Sequence, residues 1–222
     1  MREDMKYNPC YYQLRDYMVN TMQKIIAGNK TAQPHGVVFF GDSITEWNPI
    51  KTYYPEIVNK YNCGICGATS ESLRWICDEA VIKYKPSVVV MLMGTNDLSN
   101  TDARSPRQIA CNVKIIIELI TKNLPGVKLL LMETLPCDEH REGKFAGKYM
   151  RSNGNICLLN REYQELTKQF TNVKIVHTYK AFWDENNKGI YKDFTTDGLH
   201  LTEKGYQCLA DQLKPVLLDS IK

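Results

Sequence analysis

Val37-Val38-Phe39-Phe40-Gly41-Asp42-Ser43-Ile44-Thr45 is the stretch on which the fold turns. Four apolar, partly β-branched residues predict a short buried strand. Gly41-Asp42 breaks it, and a serine stands immediately past the break. In an open α/β sheet, ligands bind outside the carboxyl ends of the strands. A hydroxyl at that place is a candidate nucleophile. Asp42 or Ser43 equally suits the N-cap of a following helix, and this stretch alone leaves both readings open.

Outward from it, strand and helix patterns alternate. Upstream, Tyr11, Leu14, Met18, Met22 and Ile25 have helical spacing, closed by Gly28-Asn29. This N-terminal segment, within residues 1–30, is expected to pack on the sheet. Downstream, a helical stretch runs from Ser43 toward Trp47, and Pro49 interrupts it. Tyr54, Ile57, Val58 and Tyr61 form a weaker pattern, and a short strand is placed at Lys60–Asn62. The small-residue turn Gly64-Ile65-Cys66-Gly67-Ala68-Thr69-Ser70 leads into a helix with Leu73, Cys77, Ala80 and Tyr84 on one face, stopped by Pro86. Ser87 to Met93 is apolar at nearly every position, as a central parallel strand requires, and ends at Gly94-Thr95-Asn96-Asp97. Ser105-Pro106 opens a helix with Ile109, Val113, Ile116, Ile120 and Leu124 inward. Val127 to Met132 and Val173 to Val176 are further strands, separated by a helix through Ile156, Leu159, Tyr163, Leu166 and Phe170. Residues 135–153 are read as a loop or lid over the strand ends, and 178–197 as a second loop. A last helix covers about 202–218. These elements predict one three-layer α/β/α domain spanning residues 1–222, with a parallel sheet of about five strands.

Composition narrows the function classes. A hydrophobic fraction of 43% and a charged fraction of 24% over 222 residues are those of an ordinary globular protein. The net charge of +3 and the lack of a Lys/Arg run give no support to a nucleic-acid or membrane-surface partner. No apolar run approaches the roughly 20 residues of a membrane span. The polar start, Met1-Arg2-Glu3-Asp4-Met5-Lys6, has no signal-peptide pattern, so a cytoplasmic protein is expected. Of the eight cysteines, Cys77, Cys111 and Cys208 fall at or beside apolar helical positions, where reduced thiols act as small hydrophobes. Cys63-x-x-Cys66 has neither a second pair nor a histidine close in sequence, so metal binding is not expected there.

Parallel strands end on one side, so Ser43, Gly67, Asn96 and Asp197-Gly198-Leu199-His200 should meet at one edge of the sheet. A serine hydroxyl needs a base within hydrogen-bond reach. Of the four histidines, His35 precedes the first strand, His140 lies in the lid, and His177 ends the last strand. His200 has Asp197 three residues upstream, where a carboxylate can orient the imidazole. Gly67, Asn96 and the Ser43 N–H are candidate donors to an oxyanion. Turn and helix-start roles account for the same residues taken singly.

The four segments, in this order, resemble the conserved blocks of the SGNH hydrolases, also called GDSL-type esterases and lipases. The resemblance covers residues 37–218, and Thr195 to Tyr206 is most similar to the acetylhydrolase-like members. It implies a flavodoxin-like sheet and no metal or cofactor. It also implies a triad of Ser43, His200 and Asp197, with an oxyanion hole of Ser43, Gly67 and Asn96. Ile44 replaces the leucine of the family nickname. Ala68 stands where many members carry aspartate, which touches the hydrogen bonding behind the turn and not the Gly67 donor. Gly-x-Ser-x-Gly is absent, against the larger α/β-hydrolase group. No Gly-x-Gly-x-x-Gly or phosphate-binding loop supports a nucleotide or flavin site. The resemblance implies a serine esterase; the short chain and the lack of an extended apolar segment favour a small acyl group, foremost acetyl, with a sugar, a lipid head group or a metabolite as the alcohol part. The alternatives are a lysophospholipase or thioesterase for longer chains, or a non-catalytic binding module. Trp47, Phe182 and Trp183 are candidates for the pocket wall or the core. Oligomeric state is not legible.

Overall fold

The computed structural model describes residues 14–99, 104–141, 147 and 150–222. Five parallel strands form the central sheet: β1 (Val37–Gly41), β2 (Lys60–Gly64), β3 (Val88–Leu92), β4 (Lys128–Met132) and β5 (Val173–Val176), in the order β2-β1-β3-β4-β5. The chain runs from β1 outward to β2, then returns past β1 to β3. That reversal opens a crevice between the carboxyl ends of β1 and β3, the place where open α/β sheets take ligands. Val37 pairs with Lys60 on one side and Val88 on the other, and the register holds to Gly41.

Because both sheet faces are covered, the inner strands β1 and β3 are buried and apolar along their length rather than alternating, while the edge strands β2 and β5 admit Lys60, Asn62 and Lys174. Val38 and Phe40 point into one core with Met18 and Ile25 of α1 (Asp16–Asn29), beneath α4 (Ser70–Ala80), α6 (Pro106–Asn123) and α7 (Asn153–Thr167). Val37 and Phe39 point into the other, with Ile44 of α2 (Ser43–Glu46), Ile50 of α3 (Ile50–Tyr53), and Leu209 and Leu213 of α9 (Glu203–Ser220). Capping residues set the helix starts. Thr69 and Ser72 form a reciprocal capping box on α4, as Ser105 and Gln108 do on α6. None of the helices searched among the described residues is long and apolar enough to cross a membrane.

Several expectations are corrected. The strand placed at Lys60–Asn62 continues to Gly64, because each residue pairs with β1. The helix expected to reach Tyr84 ends at Ala80, and a separate 3-10 turn covers Ile82–Tyr84. Val58, counted with the apolar pattern, is exposed. Residues 178–197 are not an open loop. They contain α8 (Tyr179–Phe182), a small antiparallel pair of β6 (Trp183–Asp184) with β7 (Gly189–Ile190), and a 3-10 turn at Lys192–Phe194. Tyr11 and Cys10 lie outside the described residues, as do parts of the expected 135–153 lid. The described flanks of that segment are tied down: Asn153 exchanges side-chain hydrogen bonds with the backbone of Cys137 at 2.8 and 2.9 Å. Cys111, read as a buried position, is exposed, while Cys63 and Cys77 are buried thiols.

Candidate active site

The opening stretch places a helix cap and a serine hydroxyl side by side. The Asp42 carboxylate caps α2 by accepting from the Ile44 N–H at 3.0 Å. Ser43, next in line, directs its hydroxyl to His200, with Oγ 2.9 Å from Nε2. Ser43 is 3% and His200 5% exposed. On the far side of the ring, Nδ1 lies 2.6 Å from Asp197 Oδ2. Burial pushes the Asp197 carboxyl up, but hydrogen bonds from the His200 ring, the His200 N–H and the Leu199 N–H outweigh it and hold it below its ordinary value. An ionised carboxylate can only accept. Nδ1 therefore faces Asp197 with its proton, and in the neutral ring Nε2 then offers its lone pair to the Ser43 hydroxyl.

The turn that holds Asp197 and His200 is built from its own polar groups. Asp197 Oδ1 accepts the N–H of Leu199 at 3.0 Å and of His200 at 2.8 Å. The Thr195 hydroxyl donates to the His200 carbonyl at 2.8 Å and accepts the Gly198 N–H at 2.9 Å. The Asp138 N–H donates to the Gly198 carbonyl at 2.8 Å, which locks the 135–141 segment onto the turn.

Gly67 and Asn96 stand on two further turns that are bonded to each other. Gly67 has φ +74°, and a Cβ there would sit 3.0 Å from the Tyr17 hydroxyl of α1. Gly94 has φ +111°, and a Cβ would meet Leu159 and the Tyr163 hydroxyl at 2.7 Å. Only glycine suits that start of α5 (Thr95–Leu98), which presents Asn96. The Asn96 amide donates to the Ala68 carbonyl at 3.0 Å. Asp97 accepts the Ser70 N–H at 2.9 Å together with the Ser70 hydroxyl. Backbone carbonyl and Asp97 thus supply the hydrogen bonding behind the turn that Ala68 itself lacks. Burial pushes the Asp97 carboxyl up to about 6 and that of Asp42 up to about 7.

The other candidates separate. Trp47 lies against His200, ring centroids 4.4 Å apart, and is 49% exposed. Phe182 is core. Trp183 stacks on Tyr179 at 5.6 Å and lines a different cavity, of about 520 Å³, with Glu139, Cys157 and Lys180. His177, just past the end of β5, is exposed and sits 3.0 Å from Glu133. His140 is exposed beside Glu139, and His35 lies before β1. Burial pushes the Cys63 thiol up to about 12, and burial followed by Glu46 pushes that of Cys66 up to about 11, which disfavours the thiolate at both. Sequence reasoning missed Arg151, which reaches α5 from the polar 135–153 segment. No local pattern marks it, since its partners lie more than fifty residues away.

The sequence profile of the GDSL-like lipase/acylhydrolase family matches residues 39–208, from β1 into α9. The chain belongs to the GDSL-like lipase/acylhydrolase family. Among curated relatives, this acylhydrolase is 25% identical over 205 residues to the platelet-activating factor acetylhydrolase IB subunit alpha1 of Rattus norvegicus, covering 88% of this chain and 80% of that one. A GDSL-like lipase from Bacteroides thetaiotaomicron superposes with a TM-score of 0.78 at 26% identity, covering 91% of this chain and 99% of the other. A carbohydrate esterase family 3 protein from Talaromyces cellulolyticus shares the fold at a TM-score of 0.68 and 21% identity, covering 84% and 98%. The acylhydrolase is a hydrolase of ester bonds with the flavodoxin-like sheet that the resemblance implied.

Proposed function

We propose that this acylhydrolase is a serine esterase that cleaves small acyl esters, acetyl foremost, through an acyl-enzyme on Ser43. The observation that supports the reading most is the continuous Ser43–His200–Asp197 hydrogen-bond chain, at 2.9 and 2.6 Å, beneath the β1/β3 crevice. Ser43 Oγ attacks the carbonyl carbon as its proton passes to His200 Nε2. Asp197 holds the ring in the tautomer that accepts this proton and stabilises the imidazolium. The negative charge on the carbonyl oxygen is met by the N–H groups of Ser43 and Gly67 and by the second amide N–H of Asn96, each donor contributing about 3 kcal/mol. Collapse expels the alcohol, which takes the proton from His200. A water then attacks the acyl-enzyme, giving its proton to Nε2, and a second collapse releases the carboxylic acid and returns the proton to Ser43.

The acetyl assignment rests on relatives named as acetylhydrolase subunits and on the tight seat of Ser43 and His200 under Trp47. The compartment we assign is the cytoplasm, which suits cysteines kept as thiols. The test is a series of p-nitrophenyl esters from acetate to laurate on the wild type and on Ser43→Ala. The expected result is the highest kcat/KM on acetate or propionate, and loss of at least about a thousandfold in the variant. A maximum at eight carbons or beyond assigns a lysophospholipase or thioesterase instead, and full activity of the variant removes the serine mechanism.

A further inference from the structure

Arg151 is 3% exposed, a rare state for an arginine. Its described hydrogen bonds go to one short segment, α5 and its C-cap residue Ser99. Nε donates to the Thr95 carbonyl at 3.0 Å, and Nη2 donates to the Ser99 hydroxyl at 2.6 Å and to Asn96 Oδ1 at 3.3 Å. The two ends of an asparagine amide are nearly the same size, so shape alone does not decide which end faces a ligand. A guanidinium, which only donates, admits only the carbonyl end on its own side. The amino end then faces the Ala68 carbonyl on the Gly67 turn, which is the Asn96 Nδ2–Ala68 contact observed. A positive charge on the carbonyl end also polarises the amide and strengthens its N–H groups as donors. The same guanidinium is near enough to Asp42 and Asp197 to act on both electrostatically.

We propose that Arg151 is the positioning residue of the oxyanion hole, orienting and polarising the Asn96 amide from behind. This rests on the reading of Asn96 as an oxyanion donor. Such a residue acts on the transition state more than on the bound ester, so its loss lowers kcat and leaves KM nearly unchanged.

The experiment is a double-mutant cycle of Arg151→Gln and Asn96→Ala, with kcat and KM measured on a short p-nitrophenyl ester. Arg151→Gln is expected to lower kcat about 10- to 100-fold with KM within about threefold, and Asn96→Ala about 100- to 1,000-fold. The double variant should be within about threefold of Asn96→Ala alone, since the Asn96 amide through which Arg151 acts is gone. If Asn96→Ala is impaired and the two losses multiply in full, the positioning role is wrong while the oxyanion reading survives. If Asn96→Ala keeps wild-type kcat, both fall. Should Arg151→Gln fail to fold, Arg151→Lys takes its place. Lysine keeps the charge but not the planar fork that spans Thr95, Asn96 and Ser99, so an intermediate kcat is expected and wild-type kcat overturns the proposal.

Discussion

Asp197→Asn separates the two tasks that the Asp197 carboxylate performs. Oδ1 accepts two backbone N–H groups, from Leu199 and His200, while Oδ2 takes the imidazole Nδ1–H at 2.6 Å. An asparagine has one accepting end. Its carbonyl keeps both backbone N–H bonds if it replaces Oδ1, and the amino group then faces Nδ1. Two donors cannot meet there, so the imidazole moves its proton to Nε2 and loses the lone pair that Ser43 requires. At a Ser-His-Asp triad this exchange costs about 10⁴-fold in kcat. We expect a fall of about 10³- to 10⁴-fold, equal to about 4–5.5 kcal/mol of transition-state stabilisation. Folding stability should change by less than about 1 kcal/mol, because the turn keeps its acceptor. Asp197→Ala removes both, and should lose about 1–3 kcal/mol of stability as well. Steady-state hydrolysis of p-nitrophenyl acetate, urea denaturation and the ¹⁵N shifts of the His200 ring read the three quantities. An Asp197→Asn enzyme within tenfold of wild type, with its ring proton still on Nδ1, would refute the reasoning.

Two other perturbations follow from the same site. Burial raises the Asp42 carboxyl to about 7 in the folded protein, so between about pH 4 and 7 the fold binds a proton that the unfolded chain does not. The contribution of this group is therefore fully present below about pH 4 and is lost as pH rises toward 7, at most about 4 kcal/mol. Asp42→Asn keeps an acceptor for the Ile44 N–H and removes the titration. Its urea midpoint should fall less than that of wild type across this interval and exceed it at pH 8, and parallel midpoints would contradict the assignment. Trp47→Ala removes an aromatic face from the His200 ring. The interaction of an exposed ring with an imidazolium amounts to about 0.5–1 kcal/mol, so kcat should drop roughly two- to fivefold and Trp47→Phe should restore most of it; equal values for Ala and Phe would dismiss the contact.

The layers of this fold were legible because β1 and β3 are buried on both faces, and continuous apolar runs such as Val88 to Leu92 need no partner to be recognised. The candidate site was legible for the same reason. Ser43, Gly67, Asn96 and Asp197–His200 each follow a strand or precede a helix, and parallel pairing brings those ends together. What depends on distant partners was not. The two added residues of β2 exist because of their pairing with β1. Trp183 turns to Tyr179 rather than to His200 because α8 and the β6–β7 pair occupy what read as a loop. Arg151 is one of several cationic residues in a polar segment until the fold carries it to Asn96.

The central claim is that Ser43 is the nucleophile. Its most direct measurement is labelling of the intact enzyme with a small fluorophosphonate, followed by peptide mass spectrometry. The account predicts one phosphonyl group per chain, on Ser43, with activity lost in proportion to labelling and no labelling of His200→Ala at the same rate. A stoichiometric adduct on another residue, or full activity retained on a labelled Ser43, would contradict it.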